Sequence, residues 1–111
     1  MAYDEQLAGR VRELMAPRSG VTERKMFGGI GWMVTGNMAC GVMSTGGLLV
    51  RVPPGDVEAL LAQPHVGVFG RPGAKPMRGF VVVGPEAVED GAELARWVDA
   101  GADHAATLPP K

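Results

Sequence analysis

The sequence has few of the residues on which disulfides and metal sites depend. Its 111 residues include one cysteine, Cys40, and two histidines, His65 and His104, which lie far apart along the chain. A single cysteine excludes an internal disulfide, and two distant histidines do not form the spaced ligand cluster of a structural zinc site. We therefore expect an intracellular protein with no cofactor and no bound metal.

An excess of charge of one sign is also missing. The chain has 11 basic and 12 acidic residues, and its net charge is −1. Proteins that bind the phosphate backbone of nucleic acids depend on a basic field, so DNA binding by this domain alone is not expected. Residues 1–6 are polar and do not resemble a signal peptide, and no apolar run is long enough to cross a membrane. These features predict one cytoplasmic domain spanning residues 1–111.

Glycines and prolines separate the apolar segments into helical and extended patterns. Helical spacing predicts helices over residues 4–15, after Asp56, and from Asp90 to Ala106, with Asp4 as one cap and Asp90 with Glu93 as a capping box. Extended patterns cover 22–34, 38–43, 48–52, 65–69 and 79–83, and a bulge is expected at Gly28–Gly29. The predicted order is α-β-β-β-α-β-β-α, which is typical of a two-layer α+β domain with an antiparallel sheet and helices on one face.

Strand alternation predicts which residues each face of the sheet carries. One set is expected to face the helices, namely Ile30, Trp32, Val34, Leu48, Val50 and Val52, and Cys40 is expected to share a face with Met38 and Val42. The opposite face would then present Met33, Ala39, Gly41, Met43 and Leu49, with Arg51 as its main charge. That face is too apolar for open solvent, so Met33, Met43 and Leu49 are predicted to form an interface. A homodimer is preferred; a partner protein or a terminal segment are the alternatives.

The residues that could carry catalytic chemistry each have a structural interpretation. Residues 28–31 lie between strands and lack the helix and lysine that follow a phosphate-binding loop. Cys40 has no neighbouring base, and the acidic residues Glu86, Glu89, Asp90 and Glu93 surround the start of a helix, where the helix dipole accounts for them. Arg10, Arg12 and Glu13 are expected to lie on the solvated side of the first helix, and Gly79 is predicted to need a positive φ.

A group of basic residues is the candidate ligand or partner contact. Arg51 lies on a strand among apolar residues, whereas Arg71, Lys75 and Arg78 lie in or beside a loop rich in glycine and proline. Folding could bring the four together around an anion or an acidic partner; the alternative is that they are separate solvated charges.

Several short segments together resemble the amino-terminal domain of the TfoX/Sxy family. They are Lys-Met-Phe-Gly-Gly at 25–29, residues 36–40, 49–52 and 77–81, and the final helix with Trp97 followed by 108–111. The resemblance covers nearly the whole sequence as a stand-alone domain. It implies a secretion-chaperone-like α+β fold and a relation to regulators of natural competence, whose full-length forms carry a second, carboxy-terminal domain.

Two hypotheses of function follow from these observations. The first is a non-enzymatic regulatory or protein-interaction domain, because the resemblance is present and no nucleophile, base or metal constellation is visible. The alternative is a small-molecule or anion-binding protein, or an enzyme, that uses Arg51 and the region from Arg71 to Arg78.

Overall fold

The computed structural model describes residues 3–26, 28–44, 46–69 and 79–110. Two long helices and one short helix accompany six strands in this part of the chain. The elements are α1 (Glu5–Met15), β1 (Val21–Met26), β2 (Gly29–Val34), β3 (Asn37–Val42), β4 (Leu48–Arg51), α2 (Val57–Leu61), β5 (Val66–Val68), β6 (Phe80–Val83) and α3 (Gly91–Ala106). Short 3₁₀ turns, Pro54–Asp56 and Pro85–Val88, precede α2 and α3.

The six strands form one antiparallel sheet in the order β1-β2-β3-β4-β6-β5. The predicted α+β class with an antiparallel sheet is therefore confirmed. The run at 22–34, however, forms two strands and not one bent strand. Met26 pairs with Gly29, and Gly28 has φ +76°, a conformation that glycine adopts readily, so the chain reverses where a bulge was predicted.

Both long helices begin at the aspartate caps that the sequence predicts. The Asp4 carboxylate accepts hydrogen bonds from the backbone N–H groups of Gln6 and Leu7, at 2.9 and 3.2 Å. The Asp90 carboxylate accepts one from the Ala92 N–H at 2.9 Å. These bonds satisfy amides that have no partner within the helix. Glu93 was expected to complete a capping box, but its carboxylate accepts a hydrogen bond from Arg96 instead.

A bulge in β3 decides which side chains face the helices. Trp32 pairs with Cys40 but Met33 pairs with Met38, so Ala39 is an extra residue in the ladder. The bulge keeps Cys40 and Val42 on the helix side and turns Ala39 into the core, whereas Met38 lies on the opposite side. The expectation that Ala39 lies on the far face and Met38 on the helix side was therefore wrong, because a bulge interrupts strict alternation.

The core lies between the sheet and helices α1 and α3. Trp32, Leu48 and Val50 from the sheet are fully buried against Val11 and Val98 from the two long helices. The short helix α2 packs at the other end, with Val57, Leu60 and Leu61 partly buried against the same core. All three helices of the described residues thus cover one face of the sheet, and none of them lies on the second face.

Two local predictions about the chain beyond the core are confirmed. Gly79 has φ +83°, as predicted, and its carbonyl accepts a hydrogen bond from the Val52 N–H at 2.8 Å. The tail after α3 was expected to be exposed, and Pro109 and Pro110 are exposed. The Pro109 carbonyl also accepts a hydrogen bond from the buried Asn37 side chain at 2.9 Å, a contact that was not predicted. Asn37 opens β3, so the tail is attached to the same sheet end as the β2–β3 turn.

Candidate interaction face of the sheet

The face of the sheet without helices is rich in methionine. Strand alternation and the register of β1 to β6 place four methionines, two glycines, two phenylalanines, a leucine and an arginine there. We call this surface the methionine face. It consists of Met26, Gly31, Met33, Met38, Gly41, Met43, Leu49, Arg51, Phe69 and Phe80.

Two glycines form the floor of the methionine face. Gly31 and Gly41 are cross-strand partners on β2 and β3. A Cβ atom placed on Gly31 would lie 3.1, 3.5 and 3.6 Å from the terminal methyl carbons of Met38, Met33 and Met26, respectively. The missing side chains therefore leave space that three methionine methyl groups from three strands occupy. Methionine is flexible and polarisable, so these side chains can repack against a varied apolar contact.

An apolar depression opens beside this floor. Its volume is about 50 Å³, and its lining includes Met26, Met38, Met43, Leu49 and Phe69. The depression is large enough for part of one apolar side chain and is too small for a cofactor, since ligand pockets usually measure several hundred Å³.

The predicted interface residues differ in how far the chain itself covers them. Met33 is 7% exposed and Leu49 is 6% exposed, so both are already buried in the single chain. Met43 is half-buried, as are Met26, Met38 and Phe69 around it. A partner would therefore touch mainly these four side chains, and Met33 and Leu49 would support them from below.

Arg51 lies at one end of the methionine face. Its guanidinium carbon is 5.1 Å from the centre of the Phe80 ring, and Nη1 donates a hydrogen bond of 3.4 Å to the Met38 carbonyl. Phe80 in turn contacts Phe69, with 6.2 Å between ring centres. A cation over an aromatic face is held by the ring's quadrupole. The other three predicted basic residues, Arg71, Lys75 and Arg78, lie outside the described residues.

No carboxylate is found on the methionine face in the described ranges. The strand positions on this side carry Thr22 and Arg24 on β1 and Arg51 on β4, and the acidic residue of β1, Glu23, points to the helix side. None of the ion pairs among the described residues includes Arg24 or Arg51. The face is therefore apolar with positive charge.

Cys40 occupies a core position on the opposite side of the sheet. Its side chain is fully buried, and this burial raises the pKa of the thiol from 9.0 to about 12. A thiol that stays protonated is a poor nucleophile and a poor metal ligand. The interpretation of Cys40 as a core residue is consistent with this environment.

The remaining polar candidates do not converge on one site. His65 precedes β5 and lies 3.3 Å from Glu86, while His104 lies in the last turn of α3. Within 3–26, 28–44, 46–69 and 79–110 there is no group of three histidine, cysteine, aspartate or glutamate side chains that could hold a metal ion. None of the helices in those ranges has the length and apolarity needed to span a bilayer.

Sequence reasoning missed a polar contact on the helix side. Arg12 of α1 forms a two-point ion pair with Glu23 of β1, with Nε–Oε1 and Nη2–Oε2 distances of 2.7 and 3.2 Å. The buried Trp32 indole N–H donates a third hydrogen bond to Glu23 at 3.0 Å. The hydrogen bond from Arg12 is the main cause that lowers the pKa of Glu23 below its usual value. Arg12 lies on the solvated side of α1, as expected, and its side chain is 52% exposed, but its pairing with Glu23 was not predicted.

Sequence reasoning also missed Met26, Met38, Phe69 and Phe80 as parts of the methionine face. The predicted strand over 22–34 placed Met26 within its length. In the structure Met26 is the last residue of β1, and the Met-Phe-Gly-Gly segment gave no sign of this end. The bulge at Ala39 reversed the side assigned to Met38. The two phenylalanines approach each other from β6 and the segment after β5, a contact that depends on the strand order β4-β6-β5.

Comparison with known protein families identifies the family of the chain. A family model described as the TfoX N-terminal domain matches residues 13–105, a range that extends from α1 to α3 and includes all six described strands. Comparisons with curated proteins and with solved structures give no match.

Proposed function

Because the chain belongs to the TfoX N-terminal domain family, we propose that it is a non-enzymatic regulatory or protein-interaction domain similar to those of competence regulators. We further propose that it works in the cytoplasm as one domain and that the methionine face is its contact surface. The proposal describes a module whose role is to bind another polypeptide chain.

The observation that carries the proposal is the contrast between the two faces of the sheet. Three helices cover one face, whereas the other presents half-buried methionines around an apolar depression. Exposed apolar patches with adaptable side chains are typical of protein-contact surfaces. Among its described lining residues the depression has one hydroxyl, that of Ser44, and no histidine, carboxylate or lysine that could act as its base, which supports binding over catalysis.

Self-association is the form of contact that the sequence predicts. Twofold dimers are the commonest soluble assembly, and a second copy requires no other molecule. The measurement is light scattering coupled to size-exclusion chromatography of the wild-type chain and of Met43→Lys. Met43 is half-buried beside the depression, so a lysine there should oppose contact without filling the core.

Val68→Lys is the matched control for this experiment. Val68 is 49% exposed on β5 and is not part of the methionine face, so it tests whether loss of any exposed apolar residue changes the mass. A dimer that Met43→Lys converts to a monomer, and that Val68→Lys leaves intact, would support self-association through the face. A monomeric wild type at tens of micromolar would exclude a second copy and leave a different polypeptide as the partner.

A further inference from the structure

We infer that the methionine face binds an extended polypeptide segment that presents an apolar side chain and a carboxylate on the same side, in preference to a second copy of this chain. The inference rests on the proposed function and specifies the chemistry of the partner. It uses only described residues of the face, chiefly Met38, Met43, Leu49, Arg51 and Phe69.

Charge selects the class of partner. Arg51 belongs to the methionine face, Arg24 lies on the same side of the sheet next to it, and the described strand positions on this side carry no carboxylate. A second copy packed face to face would add two more arginines and no opposite charge from these strands. An acidic segment would instead pair with Arg51, and complementary charge favours one partner over another at such interfaces.

The burial and hydrogen bonding of Arg51 favour a partner with a carboxylate. Arg51 is half-buried, and its guanidinium lies over the Phe80 ring and donates one long hydrogen bond, of 3.4 Å, to the Met38 carbonyl. A guanidinium has five N–H donors in a planar fork that matches a carboxylate. An apolar partner laid over Arg51 would remove water from these donors without replacing it, whereas a carboxylate would accept two of them.

Spacing along β4 explains why an extended segment fits. Leu49, which lines the depression, and Arg51 are alternate residues of one strand on the same face, so they lie about 7 Å apart. Alternate residues of an extended partner have the same spacing. A leucine above the depression therefore places a glutamate two positions later within reach of Arg51.

The probe is a fluorescein-labelled peptide in which serine alternates with leucine and glutamate in turn, so that leucine and glutamate share one side. The control peptide has lysine in place of glutamate. In fluorescence anisotropy titrations, the acidic peptide should bind the full chain about tenfold more tightly than the lysine peptide, a difference of about 1.4 kcal/mol. Raising the salt concentration should reduce this difference.

Matched variants assign the preference to Arg51. Arg51→Gln should weaken binding of the acidic peptide about tenfold, to the level of the lysine peptide. Arg96→Gln is the control, because Arg96 also lies over an aromatic ring, that of Trp97, but on α3 and away from the methionine face. It should leave both affinities unchanged. Circular dichroism of each variant verifies that the fold is intact.

Each other outcome overturns the inference in a recognisable way. If both peptides bound equally and Met43→Lys abolished binding of both, the acidic preference would be refuted and the proposed function would still be supported. An acidic preference that survives Arg51→Gln would remove Arg51 from the contact. A wild-type dimer that the acidic peptide does not bind or dissociate would make the second copy the occupant. No binding of either peptide by a monomeric chain would refute both proposals.

Discussion

Gly101 lies where helix α3 packs tightly against Ala39 of β3 and Val50 of β4. A Cβ atom at this position would collide with the Ala39 carbonyl oxygen, which the bulge in β3 directs at the helix. We expect Gly101→Ala to lower the free energy of unfolding by up to about 2 kcal/mol, because overpacking costs roughly 1–3 kcal/mol. The gain in helix propensity, about 1 kcal/mol, offsets part of this loss. Urea denaturation of the two chains measures the difference.

Gly9→Ala is the matched control for Gly101→Ala. Gly9 lies within α1, and a Cβ atom there would have no neighbour within 4 Å. The same substitution should therefore stabilise the chain by about 0.4–1 kcal/mol. If both substitutions stabilised the chain equally, the close approach of α3 to Ala39 would not limit position 101.

Cys40 should make the chain less stable in alkaline solution. Burial raises the pKa of the native thiol to about 12, whereas the unfolded thiol ionises near 9.0. The raised native pKa means that this contribution to stability is complete below pH 9.0 and is lost as pH rises towards 12. The slope that one such group contributes is at most about 1.4 kcal/mol per pH unit.

The measurement compares the wild type with Cys40→Ala across this alkaline range. Tyrosine and lysine titrate in both chains, so the difference between the two stability curves isolates the thiol. The wild type should lose stability more steeply than the variant. The smaller side chain of alanine adds a constant offset, and parallel curves would contradict the assigned pKa of Cys40.

At the scale of elements, Glu23 connects α1, β1 and β2. Its carboxylate accepts hydrogen bonds from Arg12 on the helix and from Trp32 on the neighbouring strand. The lowered pKa of Glu23 means that the charged form contributes stability above its unfolded value of 4.5, and that this contribution is lost as pH falls through the lower native value.

Glu23→Gln should therefore destabilise the chain at neutral pH and cease to do so in acid. The readout is the urea midpoint of unfolding, monitored by tryptophan fluorescence at neutral pH and at pH values well below 4.5. The matched control is Glu93→Gln, because the pair of Glu93 with Arg96 lies within one turn of α3 and joins no two elements. If Glu23→Gln lowered the urea midpoint in acid by as much as at neutral pH, the shape of the side chain and not its charge would account for the contact.

At the scale of the whole molecule, the two faces of one sheet have different roles. One face is filled by α1, α2 and α3 and provides the core, including Cys40 and Trp32. The other face carries methionines over a glycine floor with an arginine at its end. A sheet with helices on one side leaves its second side to be covered by its own side chains or by a partner, and here the side chains cover it in part.

Local signals in the sequence determined the long helices, the antiparallel class and the family. Asp4 and Asp90 indicated where the long helices start, and short apolar runs separated by glycine and proline indicated the strands. Caps and turns are predictable in this way because they depend on neighbouring residues. The positive φ of Gly79 was predictable for the same reason. The apolar character of the second face and the place of Arg51 on it also followed from strand alternation.

Tertiary structure alone decided how the methionine face is built. Alternation predicts a face only until a bulge shifts the register by one residue, and the bulge at Ala39 moved that residue into the core and Met38 out of it. The convergence of Met26, Met33 and Met38 over Gly31, and the pairing of Arg12 with Glu23, join residues on different elements. Such contacts depend on strand order and helix position, which no local pattern of residues encodes.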